Sequence, residues 1–404
     1  MELTPFLQLV LSLIVIIAGA KFGGWLANRL RQPAVLGELL VGLLLGPSVV
    51  NLLGQGILTN PDNPLLLPEM IFELADLGVV CLMFLAGLEI DLSEMFKGGR
   101  VSVLVGINGV IVPLALGTLT ALLFGYHGQS AFFVGIILTA TSVSISAQTL
   151  LELGRLHTRE GLALLGAAVI DDVLVILLLS VFGVLTNENA RWDATLVVLL
   201  KMVAYLGLAG AIGFFLLPRL AEWIDRQPIS SGLASLVLVT ALIFAWSAEV
   251  VGGLAAITGA FIAGLGYGRC RLREDIARAM HTITHAIFVP IFFVSIGLKT
   301  NLHQLTGTDV PFALVLVLVA IVGKVVGCGL GARIAGFANR EALRVGVGMV
   351  SRGEVGLIVA SVGVSTGLIP SDLFAVVTLI VLVTTLLSPP LLRLTFVGKE
   401  VKHA

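Results

Sequence analysis

The chain has 404 residues, of which 57% are hydrophobic and only 12% charged, with a mean hydropathy of +1.07. Soluble domains carry about 25% charged residues, so these proportions exclude a soluble globular protein. The net charge of −1 points to no particular partner, and no nucleic acid is expected among the partners. Forty-six glycines in so apolar a chain suit membrane helices that pack closely. The sequence therefore reads as an all-α polytopic membrane protein with the lipid bilayer as its solvent. Residues 1–4 hold no basic region and the first apolar run is long enough to span, so no cleavable signal is expected. Cys81, Cys270 and Cys328 are scattered with no CxxC spacing and read as free thiols.

A crossing helix needs about 20 apolar residues. Breaks at Pro, Gly and charge predict thirteen spans, at about 5–27, 33–50, 70–91, 101–124, 130–153, 160–185, 194–218, 230–249, 253–267, 275–298, 310–335, 341–366 and 371–396, the second and ninth short. Basic residues test that count. Alternate loops and ends hold eighteen Lys and Arg, among them Arg29, Arg155, Arg219, Arg269 and Arg340, while the other set holds only Arg191 and Lys299. Adding or removing a span would scramble this alternation. The bias predicts an N-terminus outside and a C-terminus in the cytoplasm. Lys21 and Lys201 fall near span ends, where they can snorkel; Lys324 and Arg352 lie deep.

Weak internal matches recur in a common order. "MFLAGLEIDL" (83–92) aligns with "FVSIGLKTNL" (293–302), "GELLVGL" (37–43) with "GAFIAGL" (259–265), and the polar centre "TATSVSIS" (139–146) with "VSRGEVG" (350–356). Partners lie seven spans apart, an odd number, so the halves have opposite orientation. The expected organisation is one transmembrane unit over 1–404. Its inverted repeats fall at about 5–185 and 230–396, a linking helix at about 194–218, and no cytosolic regulatory domain is expected. Inverted repeats are a hallmark of secondary transporters, whose substrate sites lie near the midplane.

The polar residues at membrane depth are the candidates for that site. In "GAAVIDDVLVILLLS" (166–180), Asp171 and Asp172 stand with no charged residue back to Glu160 or forward to Glu188. Neighbours on a helix point about 100° apart, so the two carboxylates face different partners and one structural ion pair cannot explain both. Gly166, Ala167 and Ala168 permit close helix approach. Lys324, mid-way along span 11, needs a counter-charge, and either aspartate can supply it; a permanent salt bridge is the structural alternative. Spans 5 and 12 read as broken helices. Thr139, Thr141, Ser142, Ser144 and Ser146 supply hydroxyls that can satisfy freed backbone groups, and unwinding at Gly353 brings Arg352 and Glu354 to the interior, where the pair would be coupled. Continuous helices whose hydroxyls bond back to their own carbonyls are the alternative. Glu38 and Glu249 fall near interfaces, as do Glu73, Asp76, Glu89, Asp91 and Glu94. His281 and His285 are spaced i, i+4 with no third ligand, which does not make a resident metal site.

Five stretches, "RQPAVLGELLVGLLLGP" (31–47), "LTATSVSISAQTLLELG" (138–154), "LLGAAVIDDVL" (164–174), "GKVVG" (323–327) and "GVGMVSRGEVGLIVA" (346–360), together resemble the monovalent cation:proton antiporter-2 family, most closely its short bacterial sodium/proton antiporters. The resemblance runs over nearly the whole chain. It implies thirteen helices, discontinuous helices crossing at spans 5 and 12, and a homodimer with a dimerisation half and a mobile core half. It further implies that Asp172 carries cation and proton in turn, that Asp171 pairs with Lys324, and that Thr141, Ser142 and Glu354 line the site. The glutathione-gated potassium efflux branch has Gln-Asp where this chain has Asp171-Asp172, and carries a long cytosolic nucleotide-binding domain. This chain stops eight residues after span 13. Both differences favour the sodium type.

The expected activity is therefore exchange of Na⁺ or Li⁺ for H⁺ in a bacterial inner membrane, or another energised membrane, for sodium transport and pH homeostasis. Na⁺ binds at Asp172 and Asp171, no cofactor takes part, and the protein is not an enzyme. A K⁺/H⁺ antiporter of the same fold is the main alternative and a cation channel a lesser one. An intramembrane aspartyl protease is excluded because its two aspartates must come from different helices to share a proton.

Overall fold

The computed structural model describes residues 4–30, 32–58, 63–89, 99–186, 192–301, 310–365 and 367–396. Every regular element among them is helical. In lipid a helix satisfies its backbone internally, which an open strand cannot, so long apolar runs have one local solution. In chain order the helices are α1 (Pro5–Arg29), α2 (Ala34–Leu45), α3 (Leu66–Glu89), α4 (Gly99–Leu123), α5 (Gly128–Ile137), α6 (Val143–Glu152), α7 (Arg159–Thr186), α8 (Trp192–Phe215) and α9 (Leu217–Asp225). They continue with α10 (Gly232–Ser247), α11 (Ala256–Tyr267), α12 (Arg273–Ile283), α13 (Val289–Leu298), α14 (Val310–Ile334), α15 (Asn339–Gly348), α16 (Glu354–Ser365) and α17 (Ser371–Phe396). Two π-helical stretches, Ala248–Gly252 and Thr284–Phe288, extend α10 and join α12 to α13.

Nine helical spans among the described residues are long and apolar enough to cross a membrane, and four shorter apolar helices accompany them: Ala34–Leu45, Gly128–Ile137, Ala256–Tyr267 and Val355–Val364. Their ends follow local chemistry. The Thr4 hydroxyl caps α1 by accepting from the Leu7 amide at 3.4 Å. Gly154 and Gly336 take positive φ after α6 and α14. Each lets the next amide turn back to the helix, Arg155 to the Leu150 carbonyl at 2.8 Å and Phe337 to Ala332 at 3.0 Å.

The helices pack as two groups. One contains α1–α3 and α8–α13, the other α4–α7 and α14–α17. Each group draws on both halves of the chain. Within a group the axes approach closely at small residues. A Cβ on Gly297 would lie 2.1 Å from the Gly42 carbonyl carbon, where α13 meets α2, and one on Gly331 would lie 2.4 Å from the Leu104 oxygen, where α14 meets α4. The seam between the groups is thinner: α6 lies along α2 and α3, α17 touches α2, and α7 leans on α8. A polar link crosses it where the Glu152 carboxylate accepts the Ala34 amide at 2.7 Å, an acidic group at the N-terminus of α2. Buried Glu38 lies nearby, 4.0 Å from Lys21, whose ammonium donates to the His285 carbonyl in the second π-helical stretch at 2.6 Å.

Candidate functional site

Helix α7 runs against α4 on one side and reaches the seam on the other. Because Asp171 and Asp172 point about 100° apart, one faces its own helix group and the other faces the seam. Close α4–α7 packing enforces this. Hypothetical Cβ atoms on Gly166 and Gly106 would meet Ser102 Oγ at 2.3 Å and Ile170 Cγ2 at 2.8 Å. On the far side of α4, α14 approaches as closely. A Cβ on Gly109 would meet Cys328 Sγ at 2.5 Å and lie 3.8 Å from Lys324 Nζ. Glycines on α4 thus let a lysine from α14 reach past that helix to α7.

Lys324 Nζ donates to Asp171 Oδ1 at 2.8 Å, with the two side chains 0% and 1% exposed. Asp171 Oδ2 is buried and accepts no hydrogen bond among the described residues. The pair therefore neutralises two buried charges while leaving one carboxylate oxygen with acceptor capacity. Asp172, still 8% exposed, accepts from the Thr258 hydroxyl of α11 at 3.3 Å. A cavity of about 20 Å³ adjoins it, lined by Met83, Val143, Leu165, Ala168, Val169, Ile257, Thr258 and Phe261. A water-sized particle needs about 10–15 Å³, so the space suits one small occupant. Ile257 also lines a much larger funnel of about 1380 Å³, as does Val175 one turn beyond Asp172. Glu73, Asp76, Glu249 and Lys299 stand in the funnel wall.

Helix is interrupted at 138–142, between α5 and α6, and at 349–353, between α15 and α16. The two interruptions bond to each other: the Ser142 amide donates to the Ser351 carbonyl at 2.9 Å, and the Ser351 hydroxyl donates to the Ser142 carbonyl at 2.6 Å. Ser146 Oγ donates to the Gly348 carbonyl. A Cβ on Gly353 would fall 2.6 Å from Ser142 Cβ, so glycine is what allows this approach. Thr141 and Ser142 are buried here. Thr141 Oγ1 donates to the Thr139 carbonyl at 3.4 Å, and Ser142 Oγ lies 3.0 Å from Ser144 Oγ. Their neighbour Val143 reaches the Asp172 cavity.

Arg352 is 1% exposed. Its guanidinium donates to the carbonyls of Ala320 at 3.0 Å, Val350 at 3.3 Å and Met349 at 3.4 Å. It thus meets the negative, unsatisfied end of α15 with a positive charge. The Arg352 backbone is held from α17, where Thr384 Oγ1 accepts its amide at 3.2 Å and Thr385 Oγ1 donates to its carbonyl at 2.6 Å. The Glu354 side chain, expected to couple with Arg352, lies outside the described residues, as do the Glu89 side chain, Asp91 and Glu94. Arg352→Gln is expected to cost about 2–3 kcal/mol of stability, because a shorter neutral donor leaves buried carbonyls short of a charged partner. Thermal unfolding of the purified protein checks this; a melting temperature equal to wild type would contradict it.

The structure thus joins Asp171 to Lys324 and Asp172 to Thr258, and gathers Thr141, Ser142 and Arg352 at the interruptions. Thr258, Thr384 and Thr385 carry contacts that sequence reasoning missed. The available signal was a hydroxyl inside an apolar span, "AITGAFIAGL" (256–265) and "VTTLLSPP" (383–390).

The family described as sodium/hydrogen exchanger, transmembrane, matches residues 14–397 of the chain. The chain is 38% identical over 400 residues to the Na(+)/H(+)-K(+) antiporter GerN of Bacillus cereus, which covers 99% of this chain and 98% of that protein. It is 34% identical over 382 residues to the Na(+)/H(+) antiporter of Enterococcus hirae, covering 94% and 96% respectively. Among solved structures, the sodium proton antiporter MjNhaP1 from Methanocaldococcus jannaschii at pH 8 shares the fold at a TM-score of 0.71 and 19% identity, over 98% of this chain and 100% of that one.

Proposed function

The chain belongs to the sodium/hydrogen exchanger family, and on that premise we propose that it exchanges Na⁺, and Li⁺, for H⁺ by alternating access, with cation and proton competing for Asp172 and Asp171. A carboxylate holds a proton or a cation in the same lone pairs, and competition for one group is the simplest coupling of two ions. The single observation that carries this reading is the pairing of the aspartates with different partners. Asp172 meets the seam and a cavity of about 20 Å³, while Asp171 meets Lys324 at 2.8 Å.

In the proposed cycle, Na⁺ entering from the funnel requires Asp172 to be free of its proton. Asp171, with its unpartnered Oδ2, joins the cation, and Lys324 then loses both its carboxylate and its own proton. Proton binding reverses each step. The group containing α4–α7 and α14–α17 moves against the other, and its interrupted helices place dipole ends beside the ion. Thirteen spans, crossing of the discontinuous helices and the inverted repeats belong to the same proposal. Its supports are the nine long and four short apolar helices and the two interruptions near the same repeat offset. So do the homodimer, the bacterial inner membrane, and an outside N-terminus, which rests on the charge bias of the loops. Thr141, Ser142, Glu354 and Arg352 are proposed to shape the ion's surroundings.

A K⁺/H⁺ exchange reading is favoured by one observation, the potassium in the name of GerN. Both readings are tested by proton movement in proteoliposomes against outward gradients of Na⁺, Li⁺, K⁺ and choline. Na⁺ and Li⁺ are expected to drive it. Movement driven by K⁺ alone would establish the second reading, and flux that neither saturates nor depends on a counter-ion would mean a channel.

A further inference from the structure

We propose that Thr258 is a positioning residue that holds the unloaded carrier in place, its hydroxyl engaging ionised Asp172 from the opposite helix group until a cation or a proton neutralises that carboxylate. The inference rests on the exchange reading above and adds to it the contact that keeps exchange coupled.

The geometry is specific. Asp172 lies on α7, in the group of α4–α7 and α14–α17; Thr258 lies in the first turn of α11, in the other group. Their side chains meet across the seam, the hydroxyl donating to Asp172 Oδ2 at 3.3 Å. Thr258 is 2% exposed, so bulk water does not screen the contact. Its neighbour Ile257 lines both the funnel and the small cavity. The hydroxyl therefore stands where the two groups must slide and where the ion arrives.

A hydrogen bond to an ionised carboxylate is roughly twice as strong as one to a neutral acceptor. The contact is consequently strongest when Asp172 is charged and empty, and weaker once Na⁺ or H⁺ has taken the charge. A conformational equilibrium shifts only by the difference in interaction between its two states, and this contact supplies such a difference with the sign that exchange requires. Empty carriers stay and loaded carriers move. At 3.3 Å the bond is long for a hydroxyl–carboxylate pair, which suits a contact made and broken in every cycle. The same hydroxyl also competes with the cation for a carboxylate lone pair.

The test uses the full chain in proteoliposomes, reading proton movement with and without Na⁺. Thr258→Val keeps the shape and removes the donor. It is expected to raise cation-independent proton leak several-fold, because empty carriers reorient. It is also expected to lower the half-saturating Na⁺ concentration by about tenfold, the loss of one charge-assisted hydrogen bond. Thr258→Ser retains the hydroxyl and is expected to restore wild-type leak and half-saturation. Should the valine variant fail to assemble, Thr258→Cys offers a thiol that donates only weakly and gives the same readouts. Wild-type leak and half-saturation in the valine or cysteine variant would overturn the proposal, as would a serine variant that behaves like valine. If wild type exchanges, Asp172→Asn is inert and Thr258→Val is indistinguishable from wild type, only the Thr258 assignment falls. If wild type shows no cation-coupled proton movement, the exchange reading falls and takes this inference with it.

Discussion

Asp172→Asn is expected to abolish exchange, with at least a hundredfold loss of Na⁺-driven proton movement, while the protein still inserts and folds. An amide nearly preserves the shape of the carboxylate and can still accept from the Thr258 hydroxyl, which lies 3.3 Å from Asp172 Oδ2. What it cannot do is release a proton or neutralise a cation in a largely water-excluded site. Ionisable groups at this depth are costly, and a neutral substitute removes that cost. Equal or higher thermal stability is therefore expected alongside the lost transport. That combination separates a functional carboxylate from one that only fixes helix packing. Near-normal Na⁺-driven proton efflux by this variant would remove Asp172 from the ion path.

The second large effect is expected at Lys324. Removing one member of a buried ion pair costs about 3–5 kcal/mol when the other member remains charged. Lys324 and Asp171 are buried together at 2.8 Å, with side chains 0% and 1% exposed. Lys324→Gln is thus expected to lower the melting temperature of the purified protein markedly. Asp171→Asn combined with Lys324→Gln is expected to recover much of the loss, because no stranded charge remains. A double variant no more stable than the single one would contradict the pairing.

Transport gives an independent view of the same pair. If Na⁺ displaces Lys324 from Asp171 while Asp172 also gives up a proton, two protons move for each cation and one net charge crosses. A potential of 100 mV acts on that charge with about 2.3 kcal/mol, so an inside-negative potential should bias wild-type exchange measurably. Lys324→Gln should weaken that bias. Voltage-independent exchange by wild type would leave Lys324 as a structural partner with Asp172 still the carrier.

Much of this was legible in the sequence, for physical reasons. Apolar length and the alternation of basic loops report on the bilayer directly, so the helical character and the depth of Asp171, Asp172, Lys324 and Arg352 could be read without coordinates. The need of Lys324 for a counter-charge was equally plain, but charge alone left open which of the two adjacent aspartates supplies it, and only the family resemblance pointed to Asp171. That choice depends on the glycines of α4, which set how near α14 comes to α7, and a glycine's spacing does not say which neighbour it admits. Arg352 shows a different limit. Charge logic points to Glu354 and is silent on the carbonyls of Ala320, Val350 and Met349, to which the guanidinium donates. Every residue carries a carbonyl, and only the interruption of the helix reveals which are free. Thr258 escaped for the opposite reason. A lone threonine in an apolar helix usually bonds back to its own turn, and nothing in "AITGAFIAGL" distinguishes one that reaches across to another helix group.

The competition of cation and proton for one site is tested most directly by counting protons released when Na⁺ binds the purified protein. Titration calorimetry in buffers of different ionisation enthalpy does this at a pH where Asp172 begins protonated. Release of close to two protons per Na⁺ is the result this account predicts, one from Asp172 and one from Lys324. Release of a single proton would confine the competition to Asp172. Binding of Na⁺ with no proton released would contradict the account outright.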